Sequence, residues 1–502
     1  MAWKSALIRP FAKSVARGIR RWSAEALGAQ RQVFRSLMQV AAGTAFGKEY
    51  RLKPDSSYDA FRQQVPIRDY EGFRPYVERI IAGEHDVLWK GRPVYFAKTS
   101  GTTSGVKYIP ITRESLPNHF GTARNALFNY LAQTGNGQWM DGKMIFLSGS
   151  PVLDTTGGIL TGRLSGIANH LVPAWVKGNQ LPSYRTNCIE DWEQKVGEIV
   201  RETLDQDMRL ISGIPPWVQM YYERLLERSG KKYIKDLFPN FSVFVYGGVN
   251  FEPYRASLEE LVGKRMDSVE TYPASEGFLA FQDSQSEPGL LLNVHSGIFF
   301  EFVPAEEIDR ENPRRLSLAE VETGVNYALI LSSNAGLWAY DIGDTVRFVS
   351  KNPYRIVVTG RVKHFISAFG EHVIGKEVEE AFGQAIAGTE VKVVEFTVAP
   401  QVRPPEGGLP YHEWLIEFEH PPEDLGALEK ALDQAMMEQN IYYQDLIEGK
   451  ILRQAKITPL QRDAFRNFMK SQGKLGGQNK VPRLSNDRNI AEELFKYKIP
   501  YI

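Results

Sequence analysis

The stretch Phe96-Ala97-Lys98-Thr99-Ser100-Gly101-Thr102-Thr103-Ser104-Gly105-Val106-Lys107 constrains this chain more than any other. Val94-Tyr95-Phe96-Ala97 is β-branched and aromatic and reads as a strand, and Tyr108 to Ile111 reads as another. The local order is therefore strand, loop rich in hydroxyls and glycine, strand. Such a loop suits a phosphate, because glycine lets the backbone approach an oxyanion while N–H groups, hydroxyls and lysine supply donors and charge. The Gly-x-x-x-x-Gly-Lys-Ser/Thr pattern is absent, so the Walker mechanism is not implied. A polar turn between apolar segments fits the same residues, and the rest of the chain has to separate the two readings.

Bulk properties exclude several classes. At 502 residues the chain exceeds the size of one core, which makes two or more domains the expectation. Sixty basic residues balance sixty acidic ones, so no global field draws the protein to nucleic acid or to an anionic membrane. Cys188 is the single cysteine, which rules out an internal disulfide and fits a reducing compartment. The eight histidines lack paired metal spacing. No apolar run reaches about 20 residues, and no apolar signal core follows the basic start. A cytoplasmic protein without membrane insertion, expected to be a monomer, follows.

Residues 1–40 read as helical, with Trp3, Leu7, Phe11, Val15, Ile19 and Trp22 on one face and basic residues elsewhere. Packing of that face onto the body of a large protein is preferred over a membrane surface. Arg68-Asp69-Tyr70 offers no catalytic cluster, and a helix is expected from about Arg113 to Gln133. Met144 to Leu147 is a buried strand; Gly157 to Leu171 is rich enough in glycine and hydroxyls to line a pocket. Phe241 to Tyr246 is a central strand breaking into Gly247-Gly248, which permits either close ligand contact or a tight turn.

Two further stretches carry chemistry. Glu270-Thr271-Tyr272-Pro273-Ala274-Ser275-Glu276-Gly277 holds an aromatic that can stack on a base, a hydroxyl that can donate to phosphate and a carboxylate that can hold Mg²⁺. Trp338-Ala339-Tyr340-Asp341-Ile342-Gly343-Asp344 places a carboxylate after a strand and a glycine, suited to ribose hydroxyls, although Gly-Asp is also a common turn. The pattern changes at Arg361 to Lys363. From there, helix Gly375–Ala387, strands Val391–Ala399 and Trp414–Glu419, a helix aligned on Leu425, Leu428, Leu432 and Met436, a strand near Ile451–Ile457 and a helix near Gln461–Ser471 make an α+β domain of about 140 residues. The glycine-rich, basic run Gly473 to Leu484 reads as mobile, and a helix Asn489–Tyr497 ends the chain.

Thr99 to Gly105, Tyr272-Pro273-Ala274-Ser275-Glu276, Tyr340-Asp341-Ile342-Gly343-Asp344 and Gln478-Asn479-Lys480-Val481-Pro482-Arg483, in that order, resemble the motifs of adenylate-forming enzymes, and more closely those of the GH3 family of acyl acid amido synthetases. The resemblance implies an α/β fold: a large adenylate-forming-type N-terminal domain with β-sheets and packed helices, 1–361, binding ATP and the acyl acid, and a smaller mobile α+β C-terminal domain, 362–502. It implies ATP, Mg²⁺ and a carboxylic acid giving an acyl-adenylate and pyrophosphate, then attack by an amine, usually an amino acid, giving an amide and AMP. By the same resemblance Thr99, Ser100, Gly101, Thr102, Thr103, Ser104 and Gly105 hold phosphates, and Gly247, Gly248 and Tyr272 contact adenine. Ser275 and Glu276 lie on the α-phosphate side, with Glu276 at the metal, and Asp344 and Arg361 lie at the ribose. Lys363 becomes the hinge, and Lys480 the lysine that reaches the α-phosphate. The acyl pocket is expected near Phe128 to Gln133 and Gly157 to Trp175.

The chain departs from the plant pattern at Asp341, where plant members usually carry arginine, and at Pro273, which replaces a small residue. Gly360 to Val373 also looks more like the broader adenylate-forming hinge. These departures leave adenylation intact and weaken any transfer of plant-hormone specificity. An acyl-CoA or other acyl-thioester synthetase using the same intermediate is the alternative reading, and a nucleotide- or acid-binding protein with a decayed site is a third, disfavoured by the retained hydroxyls, Glu276 and Asp344.

Overall fold

Lys143–Phe146, Met208–Ser212, Val243–Gly247 and Asp267–Ala274 are short apolar strands that run parallel as neighbours. Their connections are long enough to hold helices, as parallel pairing requires. The computed structural model describes residues 3–100, 106–172, 174–189, 192–247, 251–308, 310–361, 365–366, 373–402, 404–448, 452–474, 480–485 and 487–499. Within them the parallel strands belong to a mixed sheet of twelve, continued by Gly277–Phe281, Leu290–Leu292, Tyr354–Arg361, Tyr340–Lys351, Asn326–Ser333 and Ile298–Pro304 toward its far edge. Tyr95–Ser100 and Val106–Ile111 form an antiparallel hairpin in a separate four-stranded sheet, with Ser100 opposite Val106. The two expected strands are thus present and paired, while the stretch between them, 101–105, lies outside the described residues.

The N-terminal stretch is two helices, Trp3–Ala24 and Ala26–Ala41. The first packs on helix Thr122–Thr134, as preferred. The buried stripe follows the expected face in part: Ile19 is buried and Val15 and Trp22 pack against the core, but Ala12 and Ala16 are buried as well while Phe11 is 47% exposed, its ring meeting Phe128 edge-on at 5.1 Å. Small alanines let two helices approach closely, and a stripe of large residues hides that choice. Phe128 accordingly lies in the core between these helices and the sheet.

The chain divides into two units, one of residues 1–214, 224–248 and 265–357, the other of 215–223, 249–264 and 358–502. Segments 215–223 and 249–264 belong to the smaller unit although they precede the change of pattern at Arg361 to Lys363, and no linear boundary can express that. The smaller unit has a three-stranded sheet in the order Lys392–Gln401, Tyr411–His420, Lys456–Leu460, with helices Gly375–Ile386 and Leu425–Gln439 packed together. Its core stacks Phe382, Phe396 and Trp414, with ring centres 4.6 to 6.0 Å apart. The third strand begins later than the sequence suggests, at Lys456, and a helix, Ile441–Glu448, precedes it.

Candidate active site

Val243–Gly247 and Asp267–Ala274 lie side by side in parallel, with Gly247 paired to Thr271. Carboxyl ends of parallel strands are where α/β sheets collect ligand-binding loops. At Gly247 a side chain is forbidden by the sheet itself, since a Cβ would stand 2.4 Å from the Thr271 carbonyl oxygen. Neither a ligand nor a tight turn is needed to explain this glycine. One strand on, Ser275 and Glu276 form the turn between Asp267–Ala274 and Gly277–Phe281, both half-buried.

The Tyr272 hydroxyl donates to Asp344 Oδ2 at 2.6 Å. Asp344 is on Tyr340–Lys351, separated from the Tyr272 strand by three other strands. In a flat sheet, neighbours about 4.8 Å apart would put the two strands nearly 20 Å from each other, far beyond the reach of a tyrosine. The sheet therefore curls back, and that curl joins the second and third motifs. Tyr340, buried on the same strand as Asp344, has its hydroxyl pushed well above its usual range by burial, with the Glu276 charge as the next cause, so Glu276 faces this region too. The departure at Asp341 has a local use: its carboxylate accepts the N–H of Gly343, which stands at φ +79°.

Two supports carry no motif in the sequence. Arg68 bridges to Tyr340, its N–H donating to Ala339 O at 3.1 Å and its carbonyl accepting from Asp341 N at 2.8 Å. Two residues on, the Tyr70 hydroxyl accepts the N–H of Tyr108, and Lys107 Nζ lies 5.8 Å from the Tyr70 ring centre. The segment 68–70 thus ties the third motif to the base of the hydroxyl-rich loop. Asn118 is the second support. Its Oδ1 accepts the Phe278 N–H at 2.7 Å and its Nδ2 donates to Ser296 Oγ at 2.8 Å, clamping the hairpin that carries Ser275 and Glu276. It sits in a wide π-type turn, Pro117–Gly121, before helix Thr122–Thr134, so the helix expected from Arg113 starts late. Turns of this kind are frequent at functional sites.

Thr99 is half-buried and Lys98 exposed at the end of their strand, and Ser100 closes it. Gly101, Thr102, Thr103, Ser104, Gly105, Gly248 and Lys363 lie outside the described residues. Arg361 ends the strand Tyr354–Arg361, and Lys480 is an exposed residue of the smaller unit.

The Tyr272→Phe variant should lose about 1–2 kcal/mol of unfolding free energy in urea, because a hydrogen bond to a carboxylate is lost where Asp344 is partly solvated. His119, buried beside Asn118, has no hydrogen-bond partner for Nε2 among the described residues, and burial pulls its pKa from 6.5 down to about 4. Its folded pKa is depressed, so its contribution is complete above pH 6.5 and is lost as the pH falls toward 4. At ~1.4 kcal/mol per pH unit the loss approaches about 3 kcal/mol. Urea titrations at stepped pH should show this slope, and His119→Gln should flatten it.

A mixed sheet of twelve strands and a separate unit built on a three-stranded sheet form the fold that carries these residues. The chain belongs to the GH3 family: the family's N-terminal domain matches residues 16–169 and 161–266, its central domain 291–361 and its C-terminal domain 375–489. The jasmonoyl–L-amino acid synthetase GH3.5 of Oryza sativa subsp. japonica is 22% identical, with 93% of each chain covered. The indole-3-acetic acid-amido synthetase GH3.3 of Arabidopsis thaliana is 21% identical over 93% of this chain and 90% of that one. Among solved structures, AtGH3.15 acyl acid amido synthetase in complex with 2,4-DB superposes with a TM-score of 0.79 at 17% identity, covering 97% of this chain and 96% of that one. A 2-hydroxyisobutyryl-CoA ligase shares the fold at a TM-score of 0.56 and 14% identity, covering 94% and 90%.

Proposed function

We propose that this protein is an acyl acid amido synthetase: it joins a carboxylic acid to an amine, an amino acid being the expected acceptor, at the expense of ATP. A carboxylate oxygen attacks the α-phosphorus, the bond to the β-phosphate oxygen breaks, and pyrophosphate leaves. The amine nitrogen then attacks the acyl carbonyl carbon, the bond to the AMP oxygen breaks, and the amine proton passes to solvent. A free carboxylate repels nucleophiles, and adenylation removes that charge while installing a leaving group.

The observation that carries this reading is the Tyr272–Asp344 hydrogen bond, which joins an aromatic and a carboxylate from two separate motifs beside the Ser275–Glu276 turn. We assign adenine to Tyr272 and the strand end at Gly247, ribose to Asp344 and Arg361, and phosphates to Thr99–Gly105 and Ser275. Lys480 is our assignment for the α-phosphate. The residues present fit Mg²⁺. No group of three or more His, Cys, Asp or Glu among the described residues could hold a metal alone, and Glu276 is a single half-buried carboxylate, a donor set that suits an ion taking most ligands from phosphate and water. Bound there, Mg²⁺ would neutralise phosphate charge.

No helix among the described residues is long and apolar enough to cross a membrane, and a monomeric cytoplasmic enzyme acting on small molecules suits this reading. The test is acid-dependent exchange of labelled pyrophosphate into ATP over a panel of aryl, alkyl and hydroxy acids. Exchange with at least one acid is expected, followed by an amide when amino acids are added. A thioester formed with coenzyme A, and no amide with any amine, would replace this reading by the thioester one.

A further inference from the structure

Within the smaller unit, Lys480 stands three residues before a strongly fixed point. Leu484 is fully buried in the unit's core and bridges in parallel to Val398. The Val398 N–H donates to Arg483 O and the Ser485 N–H to Val398 O, each at 2.9 Å, while Thr397 Oγ1 donates to Pro482 O at 2.7 Å. Residues 482–485 are thus sewn along strand Lys392–Gln401, against the mobile reading of this stretch from its glycine-rich neighbours.

The knot is the side chain of Arg483. Its Nε donates to Glu379 at 3.0 Å, Nη1 donates to Glu395 and to Phe396 O, and Nη2 donates to the Tyr254 hydroxyl. Tyr254 in turn donates to Glu395 at 3.0 Å. The guanidinium lies 4.6 Å from the Phe396 ring centre, and its side chain is 11% exposed. Helix Gly375–Ile386, strand Lys392–Gln401 and helix Glu252–Val262 all converge on this one cation. Only a planar fork of donors can serve so many acceptors at once.

We propose that Arg483 is the positioning residue of Lys480, setting where the lysine's backbone emerges so that its ammonium reaches the α-phosphate in adenylation. The inference rests on the proposed action of Lys480 at that phosphate. The backbone bonds of 482–485 remain without the guanidinium, so its loss would not free the chain but would shift the point where the lysine emerges by about an ångström, enough to misplace a catalytic cation. The second half-reaction, attack of the amine on the acyl carbonyl, needs no cation at an in-line phosphorus and should be indifferent to the knot.

The test separates the two half-reactions in the full chain. Arg483→Met, and the double variant Arg483→Met with Glu395→Gln that removes the carboxylate left behind, are compared with Arg483→Lys and Lys480→Ala. Pyrophosphate exchange is measured with the acid of fastest exchange, and amide formation with that acid's chemically made adenylate. Both Arg483→Met proteins should lose about 100-fold in kcat for exchange, since an ångström of misplacement costs that much. KM for ATP and the rate of amide formation should change by no more than about twofold, and Arg483→Lys should recover part of the loss. Equal losses in both half-reactions mean a merely structural role and overturn the proposal, as does exchange at the wild-type rate in the double variant. If Lys480→Ala itself exchanges normally, the reading of the lysine fails, and the proposal falls with it.

Discussion

Replacing Lys480 by alanine is expected to slow acid-dependent pyrophosphate exchange by about 10²–10³-fold while leaving thermal unfolding unchanged, the loss typical of removing one preorganised donor from a charged transition state. In-line displacement at the α-phosphorus spreads negative charge over its equatorial oxygens, and a lysine there stabilises that charge more than it stabilises bound ATP. The effect should therefore fall on kcat with little change in KM for ATP. Lys480 is exposed in its own unit, so its removal opens no cavity in the core. Stability and activity should separate cleanly. Calorimetry beside exchange kinetics checks this, and an alanine variant exchanging at the wild-type rate would remove Lys480 from the mechanism.

The second large effect is on folding. Arg315 and Glu301 form a bidentate pair in the larger unit, Nε to Oε1 and Nη2 to Oε2 at 2.9 Å each, with side chains 7% and 0% exposed. Arg315 Nη1 also donates to the carbonyls of Arg62 and Val65, and the Tyr58 hydroxyl donates to Glu301 at 3.1 Å. The pair thereby pins helix Tyr58–Gln64 just ahead of Arg68–Tyr70, the segment that ties the third motif to the loop hairpin. Arg315→Met strands a buried carboxylate and should cost about 3–5 kcal/mol, whereas adding Glu301→Gln should recover much of that. Urea unfolding of both proteins decides it. A loss no greater in the single variant than in the double would show that the stranded charge is not the cause.

The parts of the site legible in the sequence are those whose chemistry lies in adjacent residues. Tyr272 and Asp344 each stand out because an aromatic or a carboxylate follows strand-forming residues near a small turn. Their meeting is not legible, because it depends on how far the twelve-stranded sheet curls. Arg68–Tyr70 reads as inert for a related reason, since its work is a backbone bridge to residues some 270 positions away. Asn118 is hidden inside a stretch of helical periodicity, where a π-type turn leaves almost no mark on the spacing of apolar residues. At Pro482–Ser485 composition misleads: glycines at 473, 476 and 477 suggest freedom, while the fully buried Leu484 and the many bonds of Arg483 deny it. Gly247 reads in the sequence as either a ligand-side glycine or a tight turn, and the Thr271 carbonyl, 2.4 Å from where a Cβ would stand, is a third reason for it that only the strand pairing reveals.

The most direct test of the central claim is the fate of the phosphates in a complete reaction with ATP, Mg²⁺, an exchanging acid and an amino acid, followed by ³¹P NMR with mass spectrometry of the organic product. An acyl-adenylate route predicts AMP and pyrophosphate formed one for one with an amide. ADP and inorganic phosphate accompanying the amide would mean an acyl-phosphate route, and would contradict adenylation as the activating step.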